Sequence, residues 1–135
     1  MIYEATTTSV FIDKKGNDKV KRQRFVVDNM ELFTDVEQLL LNAMGQERDF
    51  DVIAIKRSRV NEIANSRLNE NDSIWIADLQ TLFIDDEGNE RAQRYQILFF
   101  AQTFDGARTF MSEYVRQGYD MQIVSIKKTN FVDVL

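Results

Sequence analysis

From Tyr3 the chain alternates. Tyr3, Ala5, Thr7, Ser9 and Phe11 fall on one side of an extended segment, and Trp75, Ala77, Leu79, Thr81 and Phe83 repeat the pattern later. A period of two predicts a half-buried strand in each place. A second strand follows each one, with Gln23, Phe25 and Val27 on the inner face of the first and Tyr95, Ile97 and Phe99 on that of the other. The period then changes. Val36, Leu39, Leu40, Ala43 and Met44 recur at helical spacing, as do Ala107, Phe110, Met111, Tyr114 and Val115. Each set forms one apolar stripe, which predicts two amphipathic helices with Leu39 and Phe110 buried mid-stripe. Thr34-Asp35-Val36-Glu37 has the form of a capping box, and Asp105 is the expected cap of the second helix. Gly45 and Gly118 are the expected left-handed residues that end them. Third strands are predicted near 51–57 and 121–127.

The recurrence extends to the words themselves. Residues 11–19 read FIDKKGNDK and residues 83–91 read FIDDEGNER. With Phe11 set on Phe83, Tyr3 falls on Trp75, Ala5 on Ala77, Gly16 on Gly88 and Arg22 on Arg94. After one deletion, IKR at 55–57 meets IKK at 126–128, and VNEI at 60–63 meets FVDV at 131–134. Such self-similarity predicts two copies of one supersecondary unit, residues 1–63 and 72–135. Two copies are too few for a solenoid. The expected fold is α+β, one domain over 1–135: a tandem pseudo-repeat of two β-β-α-β units forming antiparallel sheet, with both helices packed on its apolar face. The polar stretch ANSRLNENDS at 64–73 joins the copies.

Composition narrows the chemistry. With 44% hydrophobic and 29% charged residues, the 135-residue chain has an ordinary globular balance. It contains no Cys, His or Pro. Disulfides, thiolate metal sites and the commonest general base are thereby excluded. No G-x-S-x-G elbow, phosphate loop or dinucleotide fingerprint occurs, so no catalytic residue, metal site or cofactor is assigned. DDEGNE at 85–90 has carboxylates near a glycine, but the other copy makes the same turn with Lys14 and Lys15 in their place. No apolar run approaches a membrane span. The N-terminus lacks the basic and apolar regions of a signal peptide, so the expected compartment is the cytoplasm.

Charge carries the functional hint. The net charge is −5, yet residues 13–24 hold six Lys or Arg against two Asp, and the matching residues 85–96 hold two Arg against four acids. Sheets with cations and aromatics hold single strands by phosphate neutralisation and base stacking. The candidate nucleic-acid-binding residues are Lys19, Lys21, Arg22, Arg24, Lys56, Arg57, Arg59, Lys127 and Lys128. The bland alternative makes them solvated outer faces of half-buried strands. The aromatics at 75, 83, 95, 99, 100, 104, 110 and 114 are expected mainly in the core. The two oppositely charged tips also allow one molecule to meet another, with the affinity coming from apolar surface elsewhere.

KVKRQRFVVDNMELFTDVEQLL, IKRSRVNEI and DMQIVSIKKTNFVDVL resemble the landmarks of an uncharacterised domain-of-unknown-function family found in Bacteroidota genomes and in crAss-like bacteriophages. The most specific part is VVDN with FTDVE at 26–37, similar to the family's LVDA with FTEAE; Asn29 stands where the family usually has Ala. The resemblance spans nearly the whole chain and implies a phage or mobile-element setting, the cytoplasm then being the host's. It carries no activity. The expected function is a non-catalytic nucleic-acid-associated accessory protein, such as a single-strand binder. The alternative is a virion component or a host-protein-interaction protein without enzymatic activity. Expected partners are single-stranded nucleic acid, other phage or host proteins, or copies of the same chain, and no membrane.

Overall fold

The structure, a computed structural model, describes residues 1–117 and 120–135. In chain order the elements are β1 (Tyr3–Ile12), β2 (Asp18–Val27), α1 (Phe33–Met44), β3 (Asp51–Arg57), β4 (Glu62–Ile63), β5 (Ser73–Ile84), β6 (Glu90–Ala101), α2 (Phe104–Arg116), β7 (Gln122–Lys128) and β8 (Phe131–Val134). The fold is α+β, and the strand–helix order of the first five elements recurs in the last five.

The chain divides into two compact units, Met1–Ser58 with Asn130–Leu135, and Arg59–Thr129. The first holds a sheet of order β3-β1-β2-β8, the second a sheet of order β4-β6-β5-β7. This corrects the expectation of antiparallel sheet carrying both helices: there are two sheets, each with its own helix, and each is mixed. β1 pairs antiparallel with β2 and β3, but β8 lies parallel to β2. Likewise β5 pairs antiparallel with β6 and β7, and β4 lies parallel to β6. Both antiparallel edges slip register at matching places, between Thr6 and Thr7 and between Asp78 and Leu79.

The segments VNEI and FVDV therefore make a fourth strand that the periodicity did not reveal. Each joins the sheet of the other half of the sequence. Reach explains this for β8. The position beside β6 lies three strand spacings from β7, about 14 Å. Thr129 and Asn130 supply only three chain steps, roughly 10 Å. Phe131–Val134 is thus too close in sequence to β7 to cross its own sheet. The polar stretch at 64–73 belongs to the second unit. Asn65 bonds both backbone groups of Phe100, at 3.1 and 2.7 Å, and Arg67 lies over the Phe100 ring at 5.0 Å.

Each core forms where one sheet face meets its helix. In the first unit Tyr3, Ala5, Phe25, Val27, Val36 and Leu40 are buried together. In the second, Trp75, Ala77, Leu79, Ile97, Phe99, Ala107 and Met111 do the same. Leu40 and Met111 are fully buried, whereas Leu39 and Phe110, expected mid-stripe, are half-buried beside them. The stripe is thus centred one residue later than its spacing suggested, and Ala43 is exposed. Phe83 and Phe104 are exposed too, so not every aromatic is core. Tyr3 donates to the Glu31 carbonyl at 2.9 Å and Trp75 to that of Ala101 at 2.9 Å, which satisfies their polar ends inside the fold.

The helix ends differ from the sequence expectation. α1 begins at Phe33 behind Leu32, which makes no side-chain cap, so Thr34 sits inside the first turn. Thr103 caps α2, accepting from the Gly106 amide at 3.1 Å, and Asp105 lies in its first turn. Gly45 has φ −62°, and an added Cβ would lie 2.3 Å from the Leu41 carbonyl oxygen. Close approach, not a left-handed backbone, demands glycine there. The left-handed residue after α1 is Asp49, at φ 52°. Gly118 lies outside the described residues.

Candidate nucleic-acid interface

The repeated phrase folds into two turns of the same build. The Asp13 carboxylate accepts from the amides of Lys15 and Asn17, both at 2.9 Å, and the Asp13 and Gly16 amides close the loop onto the carbonyls of Asn17 and Asp13. Asp85 does the same with Glu87 and Asn89, at 3.0 and 2.9 Å. Gly16 and Gly88 have φ +82° and +83°, a region open to glycine and strained for other residues. The Asp and the Gly are fixed by geometry. The side chains between them, Lys14-Lys15 or Asp86-Glu87, make no hydrogen bond within the turn among the described residues, so they are free to differ.

The two hairpins are held differently. Arg48, in the turn after α1, makes two bonds to Asp18 at 3.0 and 2.9 Å, tying the turn end of the first hairpin to distant chain. The Arg48 guanidinium lowers the Asp18 pKa, and Asp18 raises that of Arg48. In the second hairpin Arg91 bonds Asp85 across the turn at 2.9 Å. That bond, with the turn amides, lowers the Asp85 pKa.

The nine candidate cations do not form one cluster. In the first unit, pleat parity puts Arg22, Arg24 and Lys56 on the sheet face away from α1, opposite Thr8, Thr6 and Glu4. Lys19, Lys21 and Arg57 share the parity of the inner residues Phe11, Ser9 and Tyr3. Arg59, Lys127 and Lys128 belong to the second unit, with Lys127 opposite Ile76 and Lys128 opposite Trp75 on alternate faces of β7. Three of the nine face carboxylates. Glu4 accepts from Arg24 at 3.0 Å and lies 3.9 Å from Lys56, and Glu47 lies 3.6 Å from Lys21. Arg24 also donates to Asn130 and lies over the Phe131 ring at 4.4 Å, where it pins β8 to β2. Its role is structural in this geometry.

Lys19 and Arg22 are exposed on β2, and no carboxylate lies within 4 Å of either among the described residues. The same holds for Lys14 and Lys15 at the tip. These four cations line one hairpin, beside the exposed ring of Phe11, which stands opposite Lys19. Lys14, Lys15 and Phe11 were outside the predicted set. The signal that finds them is the charge reversal between the two copies of the phrase, read together with the overrun of both strands past the core.

The second unit has its own polar cluster. Glu62 of β4 accepts from the hydroxyls of Tyr95, at 3.0 Å, and Tyr114. Asp78 accepts from Gln96 at 2.8 Å and Ser125 at 2.9 Å. Both carboxylates hold strands in register. Among the described residues no group of acids is placed to hold a metal ion, and no helix is long and apolar enough to cross a membrane.

The chain belongs to the domain-of-unknown-function family DUF4494, whose sequence profile matches residues 2–135. No curated protein matches the chain.

Proposed function

We propose that the protein is a non-catalytic nucleic-acid-associated accessory factor that holds single strands along its basic hairpin. The observation that carries this reading is one hairpin bearing Lys14 and Lys15 at its tip, Lys19 on the face of the exposed Phe11 ring and Arg22 on the other face, none with a carboxylate within 4 Å among the described residues. Cations neutralise phosphates, and a ring presented beside them offers a base a stacking face. An acidic protein with one basic arm favours a local contact over broad coating of duplex. The setting would be a phage or mobile element, and the compartment the cytoplasm of its host. A contact role toward other proteins, in a virion or on a host factor, is the second reading, supported by the apolar side chains exposed on both hairpins.

Fluorescence anisotropy with labelled single-stranded oligonucleotides at low and high salt tests the proposal. Log affinity should fall by about 0.7 per neutralised phosphate for each log unit of salt. Lys19→Glu with Arg22→Glu should abolish binding, while Arg24→Gln should change it little beyond any loss of folding seen by circular dichroism. Absence of binding at low salt, or binding indifferent to the first pair, refutes it.

A further inference from the structure

Both hairpins carry more apolar surface than a solvated loop needs. Phe11, Ile12 and Val20 on the first, and Leu82, Phe83 and Ile84 on the second, are each between 44% and 73% exposed. They lie beyond the buried part of their strands, on ribbons whose ladders nonetheless continue to the turn, from Ile12 opposite Asp18 and from Ile84 opposite Glu90. Backbone pairing thus holds two apolar surfaces out in water.

Their charges are opposite. Lys14, Lys15 and Lys19 crown one apolar patch and Asp86, Glu87 and Glu90 the other. None of the six has an oppositely charged group within 4 Å among the described residues. The acids that the turns require are already used: Asp13 and Asp85 bond the turn amides, and Asp18 is held by Arg48. What remains at each tip is unpaired charge of one sign around exposed hydrocarbon. The second hairpin also bears an open concavity of about 480 Å³, lined by Leu82, Phe83, Ile84, Gly88 and Glu90. Gly88 has nothing within 4 Å of where a side chain would start, so the floor is open to an incoming residue.

We propose that the acidic hairpin of one molecule docks on the basic hairpin of a second copy, with Ile12 and Val20 entering the concavity formed by Leu82, Phe83 and Ile84. Exposed charge pairs orient such a contact and add little affinity, and burial of the apolar residues supplies the rest. Like tips repel, so the pairing is between unlike surfaces. A heterologous contact of this kind leaves one free tip of each sign and propagates into a ring or an open chain. The contact would use the same Lys14, Lys15 and Lys19 as the proposed nucleic-acid site, so the test below is made without nucleic acid, and its failure would leave that reading standing.

Sedimentation velocity on nucleic-acid-free protein, over a concentration series at low and high salt, tests it. The wild type should associate at low salt and associate more weakly, not fall apart, at high salt. Lys14→Glu with Lys15→Glu makes both tips acidic, and Asp86→Lys with Glu87→Lys makes both basic. Each variant alone should lose association, with Kd raised at least about tenfold through like-charge repulsion. An equimolar mixture of the two should associate again. Ile84→Ser, which leaves the charge untouched, should weaken the wild-type contact. Circular dichroism on each variant separates loss of contact from loss of fold. A wild type that stays monomeric at low salt overturns the proposal and leaves the tips to a different partner. Association that persists in either charge-reversed variant alone, or a mixture that stays monomeric, also overturns it.

Discussion

The two units use one frame and pack it in two ways. Along β1 the inward residues are Tyr3, Ala5, Thr7 and Ser9, all buried, and along β5 they are Trp75, Ala77, Leu79 and Thr81. At one place a larger sheet residue of the second unit faces a smaller helix residue. Phe99 stands where the first unit has Val27, and Ala107 stands where it has Val36. Phe99 then stacks on Phe110 at 5.2 Å, and Phe110 on Tyr114 at 6.2 Å, where the first helix offers Leu39 and Ala43. A core conserves its total volume more strictly than the identity of any side chain. The comparison also shows what may not vary: the Asp and Gly of each turn, the register slip and the parallel fourth strand occur in both units.

The largest way to break this comparison is to empty the larger side chain. Phe99→Ala should cost about 3–5 kcal/mol, and Val27→Ala, at the corresponding place, about 1.5–3 kcal/mol. Urea unfolding measures both. Trp75 is the chain's one tryptophan and packs in the core with Phe99, so its fluorescence reports the second unit directly. Equal costs for the two substitutions would contradict the idea that Phe99 fills volume that Val36 fills in the other unit.

Exchanging the packing itself sharpens the point. Val27→Phe alone should overpack the first core, at a cost of about 1–3 kcal/mol. Val36→Ala alone should leave a void, at roughly 2 kcal/mol. Combined, they reproduce the pair found in the second unit, and the double variant should be more stable than the sum of the single losses implies. Strict additivity would mean that the two positions do not share space.

Much of this frame was legible because it is periodic. Alternation located the paired strands, and helical spacing located α1 and α2, since both report which face is buried. The repeated phrase identified the turns, because Asp and Gly are demanded there by backbone geometry. The fourth strands were less legible. β4 spans only Glu62–Ile63 and β8 four residues, too short for a period, and their destination depends on linker reach, which no local pattern encodes. The helix caps misled because Leu32 caps α1 without a side-chain bond. Of the candidate site, cations were visible but their partners were not. Glu4, a lone acid in a threonine-rich strand, proves to hold Arg24 at 3.0 Å and, at 3.9 Å, Lys56.

The turns should show no such asymmetry. Gly16→Ala and Gly88→Ala each place a side chain at positive φ with open space around it. The penalty is therefore backbone strain alone, about 1–2 kcal/mol in each case. Differential scanning calorimetry should find the two equal despite the opposite charges beside them. A larger loss at one would show that its turn makes a contact the other lacks.

The smallest effect separates how the two hairpins are tied. Asp18 and Asp85 both have pKa values lowered by an arginine, but Arg48 is distant in sequence and Arg91 lies in the same hairpin. A carboxyl with a lower pKa in the folded state adds stability that is complete above its unfolded value. That stability is lost as pH falls through the folded value. Both groups therefore act on the acid limb below the ordinary aspartate value of 3.8. Asp18 is exposed and Asp85 only half-buried, so salt should screen the effect, more strongly at Asp18. NMR titration of the side-chain carboxyls resolves them individually. Arg91→Gln should raise the Asp85 pKa and leave Asp18 unchanged. The turn amides of Glu87 and Asn89 still favour the Asp85 carboxylate, so its pKa should stay somewhat lowered. Arg48→Gln removes the side-chain partner of Asp18 and should return it closer to the ordinary value than Arg91→Gln returns Asp85. It also cuts the side-chain tie between residue 48 and the turn end of that hairpin, so amide exchange near Asp18 should quicken. Equal residual shifts in the two variants would mean that the turn amides contribute nothing to Asp85, and the two hairpins would then differ in charge alone.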